Sequence, residues 1–260
     1  MKELAVVVSN DNTNPNVYDT IDAIREAGFQ NVFLQWYDNN LEISQEAQAA
    51  YCQKLGLRII FAHLGYQNIN DIWLDTSEGE KLVERYCRDI DACREQGIDH
   101  VMMHLCSKSQ APGPNAIGLD RFRRITDHAK NVGVKVSFEN TKIKGYQEFI
   151  VKIIPDAGIC YDAGHVHAHF DDDYDFSFFK GKIDCIHLHD NHGEHDEHLL
   201  PGDGTLNWQN AMKGLKSSGY DGPLTLEIVY RKDYEAMDIE EFYKEGYRRG
   251  EWLSKIWEEL

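Results

Sequence analysis

No stretch of the 260-residue chain approaches the ~20 apolar residues that a membrane-spanning helix needs. The amino end, Met1-Lys2-Glu3-Leu4, runs into a strand-like segment with no charged and then apolar leader, so a cytoplasmic protein is expected. Cys-x-x-Cys spacing is also absent. The six cysteines (Cys52, Cys87, Cys93, Cys106, Cys160 and Cys185) stand singly, most of them inside apolar segments, as reduced buried thiols do. Basic residues are scarce, 27 against 44 acidic ones, for a formal charge of −17. Phosphate backbones are gripped by Lys and Arg clusters, so this deficit argues against a broad nucleic-acid footprint. It leaves room for a local positive centre such as a bound metal ion. No low-complexity linker interrupts the chain, and Asp171-Asp172-Asp173 is too short to be one; residues 1–260 read as a single domain. A chain of this length buries roughly 70–75% of its unfolded surface and needs no disulfide staples.

What is present is an alternation. Short runs rich in Val, Ile and Phe predict strands at Leu4–Asn10, Val32–Trp36, Arg58–Leu64, His100–Leu105, Lys135–Asn140, Gly158–Asp162, Ile183–Asp190 and Leu224–Val229. Amphipathic segments between them predict helices at Val17–Ala27, Ser44–Leu55, Glu78–Gln96, Gly118–Val132, Gln147–Ile154, a short Phe176–Phe179, Trp208–Ser217 and Asp238–Glu258. Gly28, Gly56, Gly97, Gly133 and Gly219 each follow a helical pattern just before the next strand, where a helix stop belongs. Eight such βα units in 260 residues match a single (β/α)8 TIM barrel. The competing open, doubly wound sheet lacks its usual mark, because no GxGxxG follows the first strand.

Histidines are unevenly placed. Eight of the twelve, at positions 165, 167, 169, 187, 189, 192, 195 and 198, fall within 34 residues where even spreading would put one or two. In a barrel, chemistry sits at the carboxyl ends of the strands. Six consecutive predicted strands deliver an ionisable group there: His63, His104, Glu139, Asp162 (with His165 close behind), His187 with His189, and Glu227. Singly, each has a structural explanation, such as a hydrogen-bonded core histidine or a carboxylate helix cap. Together they do not, because uncompensated buried carboxylates cost several kcal/mol each unless paired or metal-bound.

Mixed carboxylate and imidazole donors suit Mn²⁺, Zn²⁺, Co²⁺ or Fe²⁺ better than Ca²⁺. Glu139, Asp162, His187 and Glu227 make the central site. His189, two positions from His187, points to the same side of its strand and is a candidate for contact with substrate. Asp196 and His198 are spaced to share an ion, whereas His192 and His195 are expected to be exposed. The segment Pro201-Gly202-Asp203-Gly204 would fold its loop back over the barrel mouth.

Phe138-Glu139-Asn140, Tyr161-Asp162-Ala163-Gly164-His165, His187-Leu188-His189-Asp190-Asn191, Pro201-Gly202-Asp203-Gly204 and Leu226-Glu227 resemble the xylose isomerase-like TIM barrels. That superfamily holds sugar-phosphate isomerases and epimerases together with endonuclease IV, and the resemblance runs over nearly the whole chain. From the isomerase branch, it implies one divalent ion on Glu139, Asp162, His187 and Glu227, with both glutamates moving the proton and His165 touching substrate. From the endonuclease branch, it implies three zinc ions. His63, His104 and Glu139 would hold the first, the four central residues the second, and His165, Asp196 and His198 the third. All nine positions are filled. Two departures bear on substrate: Gly193 stands where ketose 3-epimerases usually carry Arg, and His189 where many sugar-phosphate members carry Lys. Trp36-Tyr37-Asp38-Asn39-Asn40 also lacks the Asn-Pro-Arg segment of the nuclease branch.

The resulting expectation is a divalent-metal-dependent sugar or sugar-phosphate isomerase or epimerase, holding one to three ions (Zn, Mn, Co or Mg). Glu139 and Glu227 would be its acid and base, acting through a metal-stabilised enediolate. His165, His189 and Trp36 would contact a small-molecule sugar or sugar phosphate. The alternative is an endonuclease IV-like multi-zinc phosphodiesterase acting on abasic DNA. No membrane partner is expected, and self-association into a homo-oligomer is left open.

Overall fold

A computed structural model describes residues 1–9, 13, 16–37, 43–108 and 110–260. Asn10, at the end of the first expected strand, and Asp38–Asn40 lie outside the described residues. Eight strands form among the described residues: β1 (Leu4–Val8), β2 (Asn31–Trp36), β3 (Arg58–Leu64), β4 (His100–His104), β5 (Lys135–Glu139), β6 (Gly158–Asp162), β7 (Ile183–His187) and β8 (Leu224–Leu226). All neighbouring pairs are parallel, in the order β7-β6-β5-β4-β3-β2-β1-β8. A parallel bridge between Leu188 and Leu226 brings the two ends of the sheet together. With α1 (Val17–Ala27), α2 (Gln45–Lys54), α3 (Ser77–Glu95), α4 (Ala116–Asn131), α5 (Tyr146–Ile153), α6 (Ala163–His169), α7 (Trp208–Ser218) and α8 (Ile239–Glu259), this is a single (β/α)8 TIM barrel.

The helices are locally specified. Asn16, Ser44, Thr76, Asn115, Asn207 and Asp238 each accept a main-chain N–H from the first turn of the helix that follows. All five glycines expected as helix stops adopt positive φ. The sixth helix is displaced from its expected place at Phe176–Phe179. It forms at α6, directly after β6, because the Asp162 side chain accepts from His165 N at 2.6 Å and starts the helix without a loop.

Two apolar layers follow from strand alternation. Outward-facing residues such as Val6, Leu34, Met103, Phe138 and Ile186 join the helices in one large core. Inward-facing Val7, Phe33, Phe61, Met102, Cys160 and Cys185 form a small plug inside the barrel. The ionisable groups stand on that plug, at the carboxyl ends of the strands. No helix among the described residues is long and apolar enough to cross a membrane.

Candidate active site

Parallel register sets the site. His104 is level with Glu139, and Asp162 is level with His187. Glu227 reaches the same layer across the closing seam, where its N–H donates to Leu188 O at 3.0 Å. The seam therefore places His187, at the end of β7, and Glu227, just past β8, side by side although these strands share only an isolated bridge.

At the centre, the Nδ1 of His187 lies 2.5 Å from Glu139 Oε1, 3.1 Å from Glu227 Oε2 and 3.7 Å from Asp162 Oδ2. One donor atom from each of these four residues lies within 4.8 Å of every other. The His187 ring stacks on Phe33, centroids 4.8 Å apart, so the apolar plug fixes its plane from below.

Two further groups flank the centre. On one side, His104 Nε2 is 2.6 Å and His63 Nε2 3.9 Å from Glu139 Oε2. On the other, Asp196 lies 3.1 Å from His165 Nε2, 3.3 Å from His198 Nε2 and 3.5 Å from His189 Nε2. The mutually close set on that side is His189, Asp196 and His198. His189 thus stands among the donors. Its ring stacks on that of His198, centroids 4.2 Å apart, and its Nε2 is also 3.2 Å from Asp162 Oδ1.

The donor chemistry fits a divalent cation. Glu139 Oε2, His189 Nδ1 and Asp196 Oδ1 are buried atoms without a hydrogen-bond partner, and the close His104–Glu139 approach lacks hydrogen-bond alignment. Ring orientation points the same way. Nδ1 of His63 faces Leu64 O at 3.0 Å, Nδ1 of His165 faces Asn140 O at 2.8 Å, and Nδ1 of His198 faces Glu227 O at 2.9 Å. A carbonyl only accepts, so each Nδ1 carries hydrogen. In the neutral ring, Nε2 then keeps its lone pair, the arrangement that metal-ligating histidines use.

Charge is balanced within the cluster. Burial alone would push the Glu139 carboxyl up, yet His187 and His104 hold it well below the ordinary carboxylate range. Burial likewise opposes charge on Asp162, which His165 and His189 outweigh, and on Asp196, which His198 and His165 outweigh. Burial disfavours a charged His198, but Asp196 raises it to about 9. Burial and the neighbouring His104 drive His63 down to about 4. Wherever carboxylates are held ionised beside raised imidazoles, a divalent ion can take the place of the protons.

Of the residues named from sequence, Glu139, Asp162, His187 and Glu227 meet at one point, with His63 and His104 on one flank and His165, His189, Asp196 and His198 on the other. His192 and His195 are exposed, as expected. Trp36 is buried with Leu34 and Leu64 in the core between sheet and helices. The aromatic groups beside the donors are Tyr37, edge-on to His63 at 6.2 Å, and Tyr66, stacked on His104 at 4.3 Å and 6°. Tyr66 had only a weak sequence signal, a tyrosine two residues past the end of β3. Asn140 belongs to the motif after β5, but its role emerges only in three dimensions. Its side chain pairs with both main-chain groups of Asp162, at 2.8 and 2.9 Å, while its own carbonyl orients His165.

A (β/α)8 barrel with carboxylate and imidazole donors gathered at its mouth defines the class. Residues 21–256 match the family model of the xylose isomerase-like TIM barrel, and the chain belongs to that family. A curated relative, the 3-dehydroshikimate dehydratase of Pseudomonas putida, is 27% identical over 256 residues, covering 88% of this chain and 38% of that protein. The chain spans less than half the length of the curated relatives it matches. The solved D-psicose 3-epimerase of Clostridium cellulolyticum H10, determined with D-tagatose, shares the fold at a TM-score of 0.78 and 12% identity, covering 99% of both chains. The IOLI protein, solved with a bound zinc atom, shares it at 0.77 and 17%, covering 100% of this chain and 99% of its own.

Proposed function

We propose that the chain is a divalent-metal-dependent isomerase or epimerase acting on a sugar or sugar phosphate. The observation that carries this reading is the pair of buried glutamates from β5 and the end of β8, both facing His187 Nδ1, at 2.5 and 3.1 Å, with Asp162 completing the set. When bound there, a divalent ion supplies Lewis acidity toward adjacent carbonyl and hydroxyl oxygens and so acidifies the C–H between them. Glu139 and Glu227 enter from different strands, which suits one to remove a proton and the other to return it. His165, its Nδ1–H anchored to the Asn140 carbonyl, is placed to orient a substrate hydroxyl. Tyr37 and Tyr66, whose rings lie against His63 and His104, offer apolar contact to a substrate on that side.

The test uses the full chain loaded with Mn²⁺ or Zn²⁺ and a panel of ketoses and ketose phosphates. Glu139→Gln and Glu227→Gln should each lower turnover by at least about 10²-fold, the scale of a lost general acid or base, with the folded circular-dichroism spectrum retained. Substantial turnover in both variants sinks the assignment.

The two flanking groups favour a second reading, an endonuclease IV-like multi-zinc phosphodiesterase acting on abasic DNA. Several ions can neutralise a phosphate locally and generate hydroxide. The charge of −17 weighs against it. Of the basic residues following β4, β5 and β8 (Lys108, Lys142, Lys144, Arg231 and Lys232), Lys144 is already paired with Asp173 at 2.8 Å. Cleavage of an abasic duplex, with no turnover of any sugar in the panel, would replace the first reading by this one.

A further inference from the structure

Beneath the ionisable layer, four inward-facing polar side chains share the barrel floor: His100, Ser137, Cys160 and Cys185. Cys160 and Cys185 are register partners on β6 and β7 and both belong to the interior plug; Cys160 also borders the donor cluster, its sulfur and one donor atom each of Glu139 and His187 lying within 4.8 Å of one another. His100 lines the same cavity as Cys185 and is 2.8 Å from Ser137 Oγ through its Nε2. Below them opens a cavity of about 450 Å³ at the amino-terminal end of the barrel, whose lining includes His100, Cys185 and Thr225. Cys160 thus lies against the underside of the donor cluster and is fully buried, while Cys185 borders space reachable from the opposite end.

We propose that Cys160 and Cys185 are a site of oxidative modification, a dithiol that hydrogen peroxide converts to a disulfide across β6 and β7. Neighbouring strands run about 4.7–4.9 Å apart, inside the Cα separation of about 4.4–6.8 Å that a disulfide spans. Both side chains already project to the same side. Cys185, which borders the cavity, meets the oxidant. Its sulfur attacks one peroxide oxygen, the O–O bond breaks, and the thiol proton passes by way of His100 to the departing hydroxide, giving water and a sulfenic acid. The Cys160 sulfur then attacks the Cys185 sulfur and expels the second hydroxide, which leaves as water with the Cys160 proton. In sum, two thiols and one peroxide give one disulfide and two waters. The link sits one inward position below the Asp162–His187 pair, and so ties together the two strands that present these residues.

The full chain, isolated reduced, is treated with hydrogen peroxide, alkylated in denaturant and mapped by mass spectrometry. The expected product is a Cys160–Cys185-linked peptide that dithiothreitol cleaves, with buried Cys52, Cys93 and Cys106 still alkylated. In Cys160→Ser, oxidation should stop at a Cys185 sulfenic acid that dimedone traps. The map of the unaltered chain decides the matter even if that variant misfolds. Half-buried Cys87 serves as the internal standard. If Cys160 and Cys185 both remain alkylatable once Cys87 is oxidised, or if either links to a different cysteine, the proposal is overturned.

Discussion

Each imidazole whose Nε2 faces the mouth from His63, His165 or His198 is steered by a main-chain carbonyl behind it. The residue types were legible in the sequence; this steering was not, because the carbonyls belong to residues as distant in sequence as Asn140 and Glu227. His189 shows the same limit. Its strand position told that it faces inward, but its place between Asp162 and Asp196 depends on Gly164. A β-carbon on Gly164 would lie 1.9 Å from His189 Cε1. Gly164→Ala therefore opposes two effects. Ala is favoured over Gly by up to roughly 1 kcal/mol within a helix, and by less in the first turn where Gly164 stands, while overpacking a filled site costs about 1–3 kcal/mol. Because the clash is with a fully buried ring, the second should dominate. The expected outcome is a net loss of stability in denaturant titration and displacement of His189 in a crystal structure. An unchanged or raised midpoint would show that His189 has room to move.

Most of the fold was legible at the scale of elements. The expected α1, β3 and β6 coincide with the observed boundaries. Misses occurred where side chains replaced periodicity. The sequence Ala163-Gly164-His165-Val166-His167-Ala168-His169 has no apolar stripe, and its helix depends on the Asp162 cap. Conversely, Phe176–Phe179 looked helical. Asp175 accepts from Ser177 N and Phe178 N and turns this segment, so that Tyr161, Tyr174 and Phe176 cluster. β8 stops at Leu226 rather than Val229 because the following main chain bonds to Leu188 and His198 instead. The loop bearing Asp196 and His198 has its own anchor. Asp190, fully buried, accepts from the N–H groups of Asn191 (2.9 Å), Gly202 (2.7 Å) and Leu206 (3.1 Å) and from Trp208 Nε1 (2.9 Å). Replacing it by Ala strands several buried donors, each costing about 1–3 kcal/mol. Asp190→Ala should lower stability by at least about 3 kcal/mol in urea titration; a loss below about 1 kcal/mol would mean that water or a neighbour takes over the role of Asp190.

For the whole molecule, the acid excess changes meaning once the fold is known. Glu139, Asp162, Asp196 and Glu227 are inward or loop carboxylates collected with histidines at one end of the barrel, not part of a uniformly acidic surface. The barrel's closing seam brings β7 and β8 together where His187 and Glu227, two of the four proposed donors, stand, so closure of the barrel completes the set. The central claim is that Glu139, Asp162, His187 and Glu227 jointly hold a divalent ion. Its most direct test is anomalous diffraction from crystals of the full chain equilibrated with Zn²⁺ or Mn²⁺. The account predicts a strong peak within coordination distance of all four residues, with any further peaks beside His63–His104 or Asp196–His198 counting the additional ions. A saturated crystal without anomalous density among the four would contradict it.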